Sequence, residues 1–468
     1  MMPAPATIRL SLVRHLRPAA AAVMAAVCLT AVTARSERVV VAASGDVATL
    51  EALSPDITEL VVVGEVAAPQ LSYIASAFGS LRSLDLSDAA VVAFGGFERP
   101  GLPPHGPDTL PPMSLASLRA AELRLPASLR ALGAAALAGS AIESLELPAG
   151  VETIAEGALA GCSRLRRVAA PGVRRVEAYA FSGCDSLAEV SLPALERVGL
   201  RAFAGCRVLE AFDFAPTLSE LGEEAFAATP LREAELSPTS LTAIGPRAFA
   251  GCASLASVGL PQRLVGVGEG AFASVALDAA EFPEATDSIA PLAFAGAGSL
   301  AAVTLPPKLS TIGASAFALC TALDSIDAVA LTAVPALGPD VWEGVECGRV
   351  VLTAAPDMAA QFLAAPQWRE FAITWFSEVD SPAAAAPAPS VRVCFDGALL
   401  LVESSLPLES ARLYLISGRQ VGEVSGAGPF VETRFDTSPY ADRLYILALT
   451  PAKRDTTSSH TLTLKLLR

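Results

Sequence analysis

One position recurs along this chain with a nearly fixed period. Leu137, Leu159, Phe181, Phe203, Phe226, Phe249, Phe272, Phe294 and Phe317 fall 22 or 23 residues apart, and Trp342 follows 25 residues later. The surrounding unit reads L-P-x-x-L-x-x-I-G-x-x-A-F-x-G-C-x-x-L-x-x-V-x-L. Residues 183–206, GCDSLAEVSLPALERVGLRAFAGC, show it almost whole. A unit this short cannot bury its own apolar face. Stacked units bury a continuous core, so the period dictates a solenoid whose rungs contact their neighbours. With 468 residues, 52% apolar but only 6% aromatic, the composition fits an interior of many small, similar layers.

The spacing also assigns the parts of a rung. Runs such as IESLEL (142–147) and LAEVSL (187–192) alternate apolar and polar residues, which predicts a short strand. The prolines that follow, Pro148, Pro193, Pro261 and Pro306, cannot donate to a ladder and end it. Val198-Gly199 and Ile312-Gly313 are read as turns, after which Ala-Phe drops a large ring into the middle of the rung. L-x-x-L-x-L at this period predicts a leucine-rich repeat solenoid of short parallel strands and 22–23-residue rungs.

Cys162, Cys184, Cys206, Cys252 and Cys320 share one repeat position, which Ser140, Thr229, Val275 and Ala297 fill in other units. All are small, as a tight inward corner requires, and a free thiol suits such a place. Two alternatives stand beside that reading. Rungs stacked about 4.8 Å apart would bring neighbouring cysteines within bridging range in an exported protein. A metal ladder would need clustered ligands, and no C-x-x-C spacing is present.

The ends differ from the middle. Arg9, Arg14 and Arg17 precede the apolar run PAAAAVMAAVCLTAVTA (18–34), with Val32 and Ala34 placed for cleavage, so residues 1–34 read as a signal peptide. The alternative is a membrane anchor, for which about 16 apolar residues is short. No other candidate span is present, so the mature chain is expected to lack a transmembrane segment and to be secreted or held at the outer cell surface. Residues 35–120 read as an N-terminal cap with degenerate repeats that lose the Phe-x-Gly-Cys corner, and 95–113 as a Pro-rich surface loop. Residues 121–375 carry the regular repeats and a C-terminal cap. There Asp357 opens a helical pattern with Phe362 and Leu363 on one side, and Trp368 closes the core. Residues 376–390 are a Pro/Ala linker, and 391–468 alternate in strands of 5–8 residues, the pattern of a small β-sandwich.

Net charge is −15, with only three lysines, which argues against nucleic acid or anionic membrane as a partner. The three histidines, His15, His105 and His460, stand in the signal, the Pro-rich loop and the tail, with no triad motif. Neither H-E-x-x-H nor a phosphate loop occurs, and Gly266-Val267-Gly268-Glu269-Gly270 is the turn of one repeat. No catalytic residue, cofactor or metal is therefore expected, and the chain does not read as an enzyme. One surface column invites attention. The outward residue of each L-x-x-L-x-L run is acidic at Asp85, Glu146, Asp213, Glu235, Glu281 and Asp327, six of eleven rungs. Of these, Glu146, Asp213, Glu235, Glu281 and Asp327 are candidate binding residues for a basic partner or a calcium ion, and the alternative is an ordinary solvated face. His105 and its loop are a second candidate.

The units LPALERVGLRAFAGCRVLEAF and SPTSLTAIGPRAFAGCASLASVGLP resemble BspA-type leucine-rich repeats, a likeness that covers about 35–375. The tail resembles a type IX secretion C-terminal sorting domain, through LYLISGRQV (413–421), DRLYILAL (442–449) and a final strand ending in Lys465. These resemblances imply export through the outer membrane by type IX machinery and adhesin-like binding to host or bacterial surface macromolecules, whether protein or glycan. The alternative is a structural surface or matrix protein in which the repeats are a spacer.

Overall fold

The computed structural model describes residues 38–44, 47–95, 105–355, 357–375, 391–396, 399–415, 420–436, 444–451 and 462–467. The expected signal peptide and linker lie outside the described residues. The chain divides into two compact units, Met1–Leu323 with Pro335–Val345, and Asp324–Val334 with Glu346–Arg468.

In the first unit each regular rung makes three hydrogen-bonded ladders with its neighbours. The front ladder is the expected one. Ser144–Glu146, Arg167–Ala169 and Glu189–Ser191 pair in parallel, with Glu146, Ala169 and Ser191 in register. Leu145 and Val168, the middle residues, are buried, while their neighbours face out. Parallel strands need a long crossover, and here the rest of the rung supplies it.

The back ladder corrects the sequence reading. Val198 and Ile312 lie not in turns but in two-residue strands. Six of these, from Thr109–Leu110 to Glu220–Leu221, form one parallel sheet, and five, from Ala243–Ile244 to Ala336–Leu337, form another. β-Branched residues fit this half-buried surface. The glycine after them serves close approach between rungs. A Cβ on Gly245 would stand 2.7 Å from the Gly222 carbonyl oxygen and 2.8 Å from its carbon.

The third ladder runs through the aromatic corner. Arg201, Phe203 and Gly205 donate their N–H groups to the carbonyls of Glu223, Ala225 and Ala227 in the next rung, at 2.9, 2.8 and 3.1 Å. Alternate N–H groups can point along the solenoid only if the backbone alternates too. Arg201 (φ 51°) and Gly205 (φ 73°), two residues before and after the ring, are both left-handed. This explains the glycine of F-x-G-C, because only Gly adopts that conformation without a Cβ penalty. Ala228, Ser274 and Leu319 hold the same place at φ 56–60°. The rings from Phe181 through Phe317 to Trp342 stack along the core, with centroids 4.9–5.7 Å apart and planes within 19°.

The repeat cysteines hold this corner together. Cys162, Cys184, Cys206, Cys252, Cys320 and Cys347 are free and buried. Cys162, Cys184 and Cys206 donate their thiols to the carbonyls of Leu137, Leu159 and Phe181 in the preceding rung, at 3.1, 3.1 and 3.3 Å. Cys252 and Cys320 reach the carbonyls of Phe226 and Phe294 in the same way, at 3.2 and 3.3 Å. The position therefore selects a small side chain, and a donor is used where one is present, since Val275 and Ala297 are buried there without one. Thr229 differs in its partner, its hydroxyl donating within its own rung to the Phe226 carbonyl at 2.8 Å.

The first rungs are more regular than the sequence suggests. Leu115 is fully buried in a corner of its own, flanked by the left-handed Met113 and Ser117. Thr109–Leu110, inside the expected Pro-rich loop, is a strand paired with Ala131–Leu132. Before them, Arg38–Ser44, Glu59–Val66, Ser83–Asp85 and Glu122–Arg124 form one parallel sheet, with a helix over Ala68–Ala77.

In the second unit Ser325–Ala328, Val351–Ala354 and Ala372–Trp375 pair in parallel. The helix spans Ala359–Ala364, with Phe362 buried against Trp368 at 5.2 Å between ring centroids. Leu363 is 53% exposed, contrary to its expected place beside Phe362. Consecutive helical residues point about 100° apart, so a narrow apolar face takes one of them. Where a small β-sandwich was expected, the described strands of the tail form one antiparallel sheet of five, and two of them, Leu399–Leu415 and Gln420–Asp436, run 17 residues rather than 5–8. Their register shifts between Glu403 and Leu408, around Pro407, and again between Leu408 and Ser410. Proline cannot donate to the ladder, so the strand bends there without ending.

Candidate functional site: the front strand face

The front strands carry the outward column, and the alternation of each strand explains which residues reach solvent. Glu146, Asp213, Glu235, Glu281 and Asp327 are all exposed. They do not make one acidic stripe. Glu146 is followed in register by Ala169 and Ser191, Glu235 by Gly259, and Glu281 by Thr304. Neutral rungs thus separate most of the carboxylates. Asp327 belongs to the second unit, in register with Thr353.

Asp213 and Glu235, the acidic neighbours in the column, are not on paired strands. Residues 211–215 form no strand. Phe212 stands where other rungs have smaller aliphatic residues, and Phe214 where most do, Phe282 being another ring at that place. Both are buried, and both pack on the Phe226 ring, at 4.9 and 5.3 Å, with Phe212 also 5.2 Å from Phe203. Two rings crowd this rung, and residues 211–215 drop out of the front ladder, which also breaks between Ser257–Gly259 and Ala279–Glu281. A groove of about 310 Å³ opens beside Asp213, floored by Val168 and Val190, with Arg167 and Glu189 paired at 2.6 Å on its wall. That ion pair spans adjacent rungs and was not singled out from sequence, although its position, two residues before the acidic column, is regular.

Several column carboxylates are used locally. Glu235 accepts from the Ser237 N–H at 3.0 Å and from the Ser237 hydroxyl, and its carboxylate lies over Gly259. Asp327 accepts from the Val329 N–H at 3.0 Å, and Asp85 from the Ser87 N–H at 2.9 Å. Each carboxylate closes the turn just after its own strand. No group of three His, Cys, Asp or Glu side chains among the described residues is placed to hold a metal ion.

His105, the second candidate, bridges Phe94 through two backbone hydrogen bonds of 3.0 and 3.1 Å. Its ring stacks on the Phe94 ring at 6.1 Å, and Nδ1 lies 2.9 Å from the Gly106 carbonyl. It helps hold the base of its loop. Gly266-Val267 is a back strand. Three of the thiols are held in the protonated form by their setting. Burial pushes Cys206 and Cys320 up to about 12, and Cys347 up to about 11. No helix among the described residues is long and apolar enough to cross a membrane.

The pattern of the BspA type leucine rich repeat region matches this chain in six copies, over residues 115–208 and 219–334. No curated protein matches it significantly. Among solved structures it is similar to a leucine-rich repeat protein from Bacteroides ovatus, with 20% identity over 60% of this chain and 83% of that one, and a TM-score of 0.35. It is similar to the pneumococcal vaccine antigen PcpA, at 16% identity over 58% and 78%, TM-score 0.36. It is also similar to the T. pallidum leucine rich repeat protein TpLRR, at 29% identity over 39% and 78%, TM-score 0.30. The family pattern breaks off at residues 209–218, the rung that carries Phe212 and Phe214. On either side of that break, the repeats between residues 115 and 334 match the BspA-type leucine-rich repeat pattern.

Proposed function

We propose that this chain is an exported, non-enzymatic binding protein of the cell surface or medium, adhesin-like toward a host or bacterial surface macromolecule. The observation that carries this reading is the front face itself. Stacked strands present outward side chains in register from rung to rung, as at Glu146, Ala169 and Ser191, on a backbone fixed by three ladders. Such a surface offers many small contacts on a rigid support, which suits recognition of an extended partner. In this reading residues 1–34 direct export and are removed. Residues 391–468 address the chain to type IX-like secretion machinery, and the exposed carboxylates of Glu146, Asp213, Glu235, Glu281 and Asp327 contribute to the binding face. One observation favours the rival reading of a structural spacer: Glu235 and Asp327 already satisfy their own turns.

The test combines location and mass. The native protein is followed in cells and medium by intact mass, with and without residues 391–468, and the released chain is assayed on matrix proteins, glycans and bacterial surfaces. Cleavage after about residue 34, loss of export without the tail, and binding to a defined macromolecule support the proposal. Unchanged export without the tail removes the sorting role. Surface assembly without any binding partner supports the spacer.

A further inference from the structure

The first rungs carry a feature of opposite sign to the rest of the chain. A concavity of about 710 Å³ on the front side is lined by Arg38, Arg82, Arg119, Arg124 and Arg164. These residues are far apart in sequence, and the stacking of rungs brings them to one place. Arg124 faces Asp85 at 3.7 Å, but the other four have no carboxylate within 4.0 Å among the described residues, and all five are exposed. The contrast along the solenoid is sharp, since all eight arginines between 167 and 247 sit in ion pairs. Unpaired guanidinium groups therefore gather at one end of a chain whose net charge is −15.

We propose that this groove binds a linear polysaccharide that carries sulfate or carboxylate groups along its length. The inference rests on the binding-protein reading above and names its site and ligand class. Three features of the groove fit that ligand. The guanidinium fork matches the planar or tetrahedral oxygens of carboxylate and sulfate, and binds them bidentately. The arginines span the front strands from Arg38 to the rung of Arg164, roughly 24 Å at the spacing of parallel strands. A row of spaced charges of that length engages an extended polyanion rather than a single small anion. Finally, no aromatic side chain lines the groove. A protein partner ordinarily needs buried aromatic or aliphatic anchors, and a charged glycan does not. Glu59, Asp85 and Glu122 also line the site. They moderate the charge, so a ligand is selected by where its anions fall.

The test is calorimetric titration of the purified full-length chain with three probes. These are a sulfated uronate octasaccharide, its unsulfated counterpart and an octamer of glutamate. The expected result is saturable binding of at least one saccharide, falling as salt rises from about 0.02 to 0.15 M. Arg82→Ser with Arg119→Ser should weaken it about tenfold or more. Arg263→Ser with Lys308→Ser, two exposed basic residues elsewhere in the first unit, should leave it unchanged. Because Arg82 and Arg119 are exposed and unpaired, the groove variant should keep the parent's melting temperature. Absence of saccharide binding overturns the inference, as does equal loss in both double variants. Tighter binding of the glutamate octamer overturns it in favour of an acidic peptide. If the saccharides fail while the chain still binds a matrix protein or a cell surface, the groove assignment falls and the binding-protein reading stands.

Discussion

The aromatic stack offers a direct test of what holds the solenoid together. Phe203 is fully buried, with Phe181 stacked on one side at 4.9 Å and Phe226 on the other at 5.0 Å. Phe212 adds an edge contact at 5.2 Å. Removing the ring with Phe203→Ala forfeits its burial and leaves a cavity that the three ladders prevent from closing, at a cost of about 3–5 kcal/mol. Phe203→Leu should be much milder, about 1–2 kcal/mol. The protein supplies its own precedent, because Leu137 and Leu159 occupy this position and are fully buried. The damage should also be local, since each rung contacts mainly its neighbours. Urea denaturation of the two variants gives the ordering. Hydrogen exchange should show early loss of protection at Gly205 and Ala228, which donate in the corner ladder, while Phe317 stays protected. A cost below about 1 kcal/mol for Phe203→Ala would refute the reasoning, as would a leucine variant as damaged as the alanine one.

Other outcomes follow from the same geometry. Gly205 and Ala228 occupy the same left-handed position, φ 73° and 56°, and a Cβ on Gly205 would meet nothing within 4 Å. Gly205→Ala should therefore destabilise by about 0.5–1 kcal/mol through backbone strain alone, and Ala228→Gly should change stability by less than that or raise it, as read from thermal melts. Gly245→Ala differs, because its Cβ would press on the Gly222 peptide, and overpacking predicts a loss of about 1–3 kcal/mol in the same melts. Burial holds the Cys206 and Cys320 thiols protonated up to about 12 in the folded chain. An unfolded thiol ionises near about 8.5. Their contribution is thus complete below that pH and is lost as pH rises toward 12, so the urea midpoint should fall across this window. Cys206→Ser with Cys320→Ser should flatten the fall, and native thiols should resist alkylation at pH 8 until urea is added.

How much of this was legible beforehand depends on whether a property repeats. The period, the front strands, the buried large side chain and the small corner residue recur in most units, so one sequence states them many times over. Within a rung, burial and alternation follow from side-chain chemistry alone, as at Leu145 between Ser144 and Glu146. The back strands are two residues long, too short to show any alternation, and Val198-Gly199 therefore looked like a turn. The left-handed residue before each ring, Arg201 or Tyr179, bears no compositional mark, because what holds it is a hydrogen bond to the next rung. The interruption at Asp213 falls where two rings, Phe212 and Phe214, crowd one rung, and the alternation of polar and apolar residues does not record it. Likewise the arginine groove joins Arg38, Arg82, Arg119, Arg124 and Arg164 across well over a hundred residues. Sequence determined that this chain stacks rungs around a ladder of rings. Only the tertiary structure decided which charges meet on its face, because rung spacing and register, set by backbone hydrogen bonds, determine which distant side chains become neighbours.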